Sequence, residues 1–78
     1  MITAYLLINT ENDKTRIVSK KLEQLEEITE IDEVYGEYDI IAKVMVSDLK
    51  ELREFLYNKV RVIDGLLKTE TLISTSAS

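Results

Sequence analysis

Residues Val34-Tyr35-Gly36-Glu37-Tyr38-Asp39-Ile40-Ile41-Ala42-Lys43-Val44 place a glycine and two carboxylates at a bend. They then run straight into the most apolar strand candidate of the chain. Gly36 is one of only two glycines, and glycine accepts positive φ and close backbone approach without a Cβ clash. Taken alone, the stretch is a β-hairpin bend with acidic flanks, and Asp39 is a turn or cap partner. Whether the bend is also a site depends on what surrounds it.

Downstream, Tyr38 to Val46 reads as a strand. Ile40, Ala42, Val44 and Val46 share one face, and Ile41 and Met45 flank Lys43 on the other. Upstream, Ile31 to Tyr35 reads as a shorter strand with an acidic open side. The chain opens on another strand, Thr3 to Asn9, with Ala4, Leu6 and Ile8 on one side and Tyr5 and Leu7 on the other. A strand with a wet face would alternate, so strands apolar on both faces are expected to be covered twice.

The polar cluster Asn9 to Asp13 predicts a turn in which Asn12 or Asp13 caps a helix. As a calcium loop (Asn9, Glu11, Asp13) it lacks the turn glycine and the distal glutamate. From Lys14 to Glu27 the apolar residues Ile17, Val18, Leu22, Leu25 and, just beyond, Ile28 recur at three- and four-residue spacing, the stripe of an amphipathic helix. Ser47-Asp48 predicts the cap of a second helix, Leu49 to Arg61, with Leu49, Leu52, Phe55, Leu56 and Val60 inward. Gly65 ends the connection to a last strand, Leu66 to Ile73, in which Thr69, Thr71 and Ile73 share a face. Ser74 to Ser78 reads as a frayed polar tail.

Composition bounds the chemistry. Seventy-eight residues make one domain, near the lower limit for a self-sufficient core. With no cysteine and no histidine, disulfides, thiolate chemistry, imidazole catalysis and the usual transition-metal ligands are absent. The net charge is −5, and the eight acidic residues between Glu23 and Asp39 face no basic one. A phosphate backbone wants clustered Lys and Arg, so direct nucleic-acid binding is not expected. No apolar run approaches a membrane span and no signal-peptide pattern opens the chain, which predicts a cytoplasmic protein.

The order strand, helix, strand, strand, helix, strand, with right-handed crossovers, closes as a ferredoxin-like βαββαβ unit of the α+β class. It is a four-stranded antiparallel sheet with two helices on one face. Those helices leave Tyr5, Leu7, Ile41 and Met45 uncovered on the other face. An exposed apolar patch of a few hundred Å² marks an interaction surface, so dimerisation through the sheet is expected.

Gly36-Glu37-Tyr38-Asp39 before an apolar strand, with Gly65 and Thr69-Glu70-Thr71 at the last one, resembles the effector module of Lrp/AsnC-type regulators, the RAM domain. The resemblance runs from Ala4 to Ile73. That family's usual helix-turn-helix domain has no counterpart here, so residues 1–78 resemble a single stand-alone RAM domain.

The resemblance implies a cofactor-free amino-acid effector module that serves regulation of transcription or amino-acid metabolism. The effector would lie between dimers that assemble into octamers, and full-length regulators of the family are possible partners. The implied ligand-binding residues are Gly36, Glu37, Tyr38, Asp39, Thr69 and Thr71, with no metal. Asp39 would take the ammonium and backbone N–H groups at Gly36 the carboxylate, with Tyr35 and Ile73 as candidate side-chain contacts.

Other readings are a ligand-free scaffold, an ACT-like regulatory subunit, or a small ferredoxin-like enzyme. Cofactor-free oxygenases want an acid–base group that is missing here. An acylphosphatase wants an arginine-bearing glycine-rich loop where this chain has Asn9 to Thr15. Paired carboxylates such as Glu37 and Asp39 could act as acid and base, against the plainer reading of a solvated acidic bend, so an enzyme is not expected.

Overall fold

The computed structural model describes residues 1–75. The elements are β1 (Ile2–Thr10), α1 (Thr15–Glu23), β2 (Ile28–Glu33), β3 (Ile40–Val46), α2 (Leu49–Phe55) and β4 (Leu66–Ile73). A π-helical turn, Leu56–Val60, extends α2. The four antiparallel strands lie in the order β2-β3-β1-β4, the expected ferredoxin-like arrangement.

Register explains the core. Ala4, Leu6 and Ile8 of β1 lie opposite Val44, Ala42 and Ile40 of β3, and all six are fully buried. They pack with Val18 and Leu22 of α1 and with Leu52, Phe55 and Val60 of the second helical segment. Both helices therefore cover one sheet face. The opposite face carries Tyr5, Leu7, Ile41, Lys43 and Met45 on the central strands. Glu30 and Asp32 flank them on β2, and Lys68, Glu70 and Leu72 on β4.

Several expected boundaries move. α1 ends at Glu23, because Gln24 and Leu25 donate to the Lys21 and Leu22 carbonyls and tighten the last turn. β2 consequently begins at Ile28, not Ile31. The three-residue spacing of Leu22, Leu25 and Ile28 thus belongs to a helix, a turn and a strand in succession. Ile17, expected inward, is 49% exposed, and Ser19 is buried in its stead. Neither Asn12 nor Asp13 caps α1. Lys14 holds that position without a side-chain bond, while Asp13 takes the left-handed backbone of the turn, φ 66°.

The second cap forms as expected, with Asp48 accepting from the Glu51 N–H at 2.8 Å. Leu49 points outward, 50% exposed, and Leu56 is half-buried. The π turn, closed by Arg61 N–H to the Leu56 carbonyl at 2.9 Å, adds a residue to the last turn. It thereby brings Val60 onto the same inward face as Phe55.

Gly65 is needed where the chain enters β4. Its φ is +95°, and a Cβ would stand 3.1 Å from Lys14 Cβ and 3.2 Å from Val18 Cγ2. Its carbonyl accepts from Glu11 N–H at 2.8 Å. Ser74, expected in a frayed tail, donates its N–H to Thr3 O at 2.8 Å. The rest of that expectation, from Ser76 on, lies outside the described residues.

Candidate functional site

β2 and β3 join through a tight loop closed by Val34 N–H to the Asp39 carbonyl at 2.9 Å, so β3 starts at Ile40 and not at Tyr38. The loop is tied to the end of β1 at three places. Asp39 N–H donates to Ile8 O at 2.9 Å. The Asn9 side-chain amide donates to Glu37 O at 2.8 Å. Thr10 N–H donates to Asp39 Oδ2 at 2.8 Å, and the Thr10 hydroxyl reaches the same oxygen at 3.4 Å. That hydroxyl also shares a 2.7 Å hydrogen bond with Thr15 at the start of α1. Asp39 therefore does hold a turn together, and Asn9, whose polar head goes to the loop, is not arranged as a calcium ligand.

The tip remains outside. Tyr35, Gly36 and Glu37 are exposed, and Gly36 has φ +149° with open space where a Cβ would stand. Tyr38 turns the other way, across β1 on the helix-free sheet face, and its hydroxyl donates to the Glu70 carboxylate. That bond holds the Tyr38 phenol above its ordinary pKa, because ionising it would set two negative charges side by side.

Thr69 and Thr71 lie on the opposite face of β4 from Glu70, in register with Ile8 and Leu6. With Leu56, Val60 and Arg61 they wall a cavity of about 140 Å³. The Thr69 hydroxyl is buried with no hydrogen-bond partner among the described residues. The six expected residues thus fall into two groups on either side of β1. Tyr38 and Glu70 are the contact that joins their segments, and the two cavities that Thr69 lines have no wall among the four loop residues.

Sequence reasoning missed Asn9 and Thr10, which anchor the loop, and Glu70, which lies between the two threonines already singled out. It also read Arg61 only as the last residue of the second helix, where the structure makes it a wall of the cavity at Thr69 and Thr71. Strand pairing was the missing information for Asn9, Thr10 and Glu70, and the π turn for Arg61. Among the described residues no cluster of acidic side chains is arranged to hold a metal ion, and no helix is long and apolar enough to cross a membrane.

The family profile of the Lrp/AsnC ligand binding domain matches residues 3–78. An uncharacterized helix-turn-helix-type transcriptional regulator of Pyrococcus furiosus is 40% identical over 75 residues, a match covering 96% of this chain and 51% of that protein. Among solved structures, FFRP-DM1 superposes with a TM-score of 0.91 at 40% identity, covering 95% of this chain and 99% of its own. AsnC of Escherichia coli superposes with a TM-score of 0.92 at 32% identity, covering 97% of this chain and 52% of its own.

Proposed function

The chain belongs to the Lrp/AsnC ligand-binding domain family, and from that premise we propose that it is an amino-acid effector-binding and oligomerisation module that does not itself bind DNA. The Pyrococcus furiosus relative is named a transcriptional regulator and AsnC of Escherichia coli a regulatory protein, which favours a regulatory role over an enzymatic one. The chain spans about half the length of the curated relatives it matches, so only the effector half of their activity is carried over. A net charge of −5 speaks against a phosphate-backbone contact.

The observation that carries the reading is the anchoring of the Gly36–Asp39 loop. Hydrogen bonds to Ile8, Asn9 and Thr10 hold its base while its tip stays exposed, so its polar groups are fixed in direction before anything binds. Such preorganisation lowers the ordering cost of binding. Asp39 uses Oδ2 on Thr10 and keeps Oδ1 for an ammonium group, a charge-assisted bond. Thr69 and Thr71, on the far side of β1, serve a site completed by a neighbouring subunit. Dimers would form through the helix-free sheet face, where Tyr5 is 38% and Leu72 50% exposed. Octamers and co-assembly with full-length family regulators complete the proposal.

A ligand-free scaffold would need only the sheet face. Thermal-shift measurement against each of the twenty amino acids separates the two. At about 100 times its dissociation constant a true effector adds about 2.7 kcal/mol of stability. No shift with any of them at millimolar concentration would favour the scaffold.

A further inference from the structure

We propose that the tip of the β2–β3 loop docks on a second copy of the chain, with Tyr35 seated in a groove along α2 and the π turn between Arg53, Tyr57 and Arg61. The contact deepens the proposed oligomerisation and rests on that reading, not on the binding of an amino acid.

The groove encloses about 440 Å³. Leu56 and Tyr57 give it apolar walls, which Arg53, Glu54, Asn58 and Arg61 complete. The ion pairs among the described residues are Arg16–Glu33 and Lys59–Glu27, so neither arginine of the groove has a carboxylate partner in a chain of net charge −5. The Arg61 guanidinium lies 5.0 Å from the centre of the Tyr57 ring, and Tyr57 itself is exposed. Such a surface fits an aromatic ring, which can pack on the phenol and the guanidinium planes, with negative charge beside it for the arginines.

Tyr35 brings both. Of the four tyrosines, Tyr38 is bonded to Glu70, Tyr57 lies under Arg61 and Tyr5 belongs to the helix-free sheet face. Tyr35 is the most exposed of the large apolar side chains described. Its loop is tied to β1 at the base, so the phenol sits on a fixed tip and gives up little freedom on docking. A rigidly presented tyrosine is the kind of residue on which an interface centres. Open space at Gly36 lets a neighbour approach the bare backbone. Glu33 is already paired with Arg16, whereas Glu37 has no ion pair among the described residues and faces no basic residue nearby in sequence. Glu37 is the charge left over for the groove.

Tyr35 does not serve its own groove. Its loop hangs from β2 at one edge of the sheet, with β4 at the other edge. Arg61 also walls a cavity with Leu66, Leu67 and Lys68 of β4, which sets the groove on the β4 side. The contact therefore joins unlike surfaces of two copies. Together with the helix-free sheet face it gives each subunit two separate interfaces, as an assembly larger than a pair requires.

The test is light scattering on the whole chain. Wild type should be larger than a pair. Tyr35→Ser and Arg53→Glu, both at exposed positions, should each fall to a pair, with the larger assembly dissociating at a concentration about 30-fold higher or more. Tyr35→Phe should keep the wild-type mass. Mixed in equal amounts, Tyr35→Ser and Arg53→Glu should regain mass above a pair, because one keeps the groove and the other keeps the tyrosine. Glu37→Lys combined with Arg53→Glu should assemble better than Arg53→Glu alone.

A merely structural role for either residue would not give recovery on mixing, and a mixture that stays at a pair would overturn the contact. Loss of mass in Arg53→Glu with none in Tyr35→Ser would also overturn it, since the groove would then hold another occupant. A wild-type pair that Ile41→Glu splits would overturn this contact and leave the sheet interface standing. Amino-acid thermal shifts read the effector role separately: their absence, beside the expected masses, would keep the contact and remove the effector.

Discussion

Asp39 serves the fold through one carboxylate oxygen, and under the proposed function the other is left for a ligand. One oxygen accepts from Thr10 at the end of β1; the other has no hydrogen bond among the described residues. Asp39→Ala removes the bond to Thr10 and, with it, the ammonium contact proposed above. It should lower unfolding stability by about 1–3 kcal/mol, because Thr10 N–H loses a charged acceptor. Asp39→Asn keeps an oxygen for Thr10 and loses only the charge. It should melt near the wild type in chemical denaturation while its amino-acid affinity falls by about 1.5–3 kcal/mol. Equal affinity of Asp39→Asn and wild type in calorimetry would take Asp39 out of the site. The carboxylate and its neighbouring glycine were legible in the sequence. Its partner Thr10 was not, since nothing local brings residues 10 and 39 together.

At the scale of elements, the connection between α1 and β2 is pinned to the second helical segment by Lys59 donating to Glu27 at 2.8 Å. The Lys59 hydrogen bond holds the Glu27 carboxyl below its ordinary 4.5, against partial burial that pushes it up. The same bond, helped by Glu26 and Glu51 nearby, holds Lys59 above its ordinary 10.5. A depressed carboxyl stabilises the fold above its unfolded pKa and loses that contribution as pH falls through its folded pKa. A raised amine loses its share only as pH climbs through its own folded value.

The stability gap between wild type and Glu27→Gln should therefore be flat between about pH 5 and 10 and should close below the ordinary glutamate value. Urea unfolding of both proteins across pH 3 to 8 checks this; a gap that widens on acidification would contradict it. The helix periods announced both helices. They overextended α1, because Leu25 and Ile28 continue its spacing beyond its last turn, and they gave no sign of the π turn that seats Val60.

For the whole molecule, the question is what covers the helix-free sheet face. Tyr5, Leu7, Ile41 and Met45 lie together there, and Ile41 and Tyr5 are 36% and 38% exposed in the single subunit. Ile41→Glu should leave the monomer folded, since that side chain already meets solvent. In light scattering it should lower the solution mass, because a carboxylate buried between two copies lacks compensation. An unchanged mass would place the interface elsewhere.

Element order, the sheet-and-helix layering and the doubly apolar central strands are all readable from the order of residues. Alternation at two and at three to four residues is imposed by local backbone geometry and needs no partner to be read. Tertiary pairing alone sets Thr69 and Thr71 facing away from Tyr38, Glu70 against Tyr38, and Arg61 beside Thr69 on the wall of one cavity. Those facts depend on strand register and on one extra residue in a helical turn, and long-range pairing sets both.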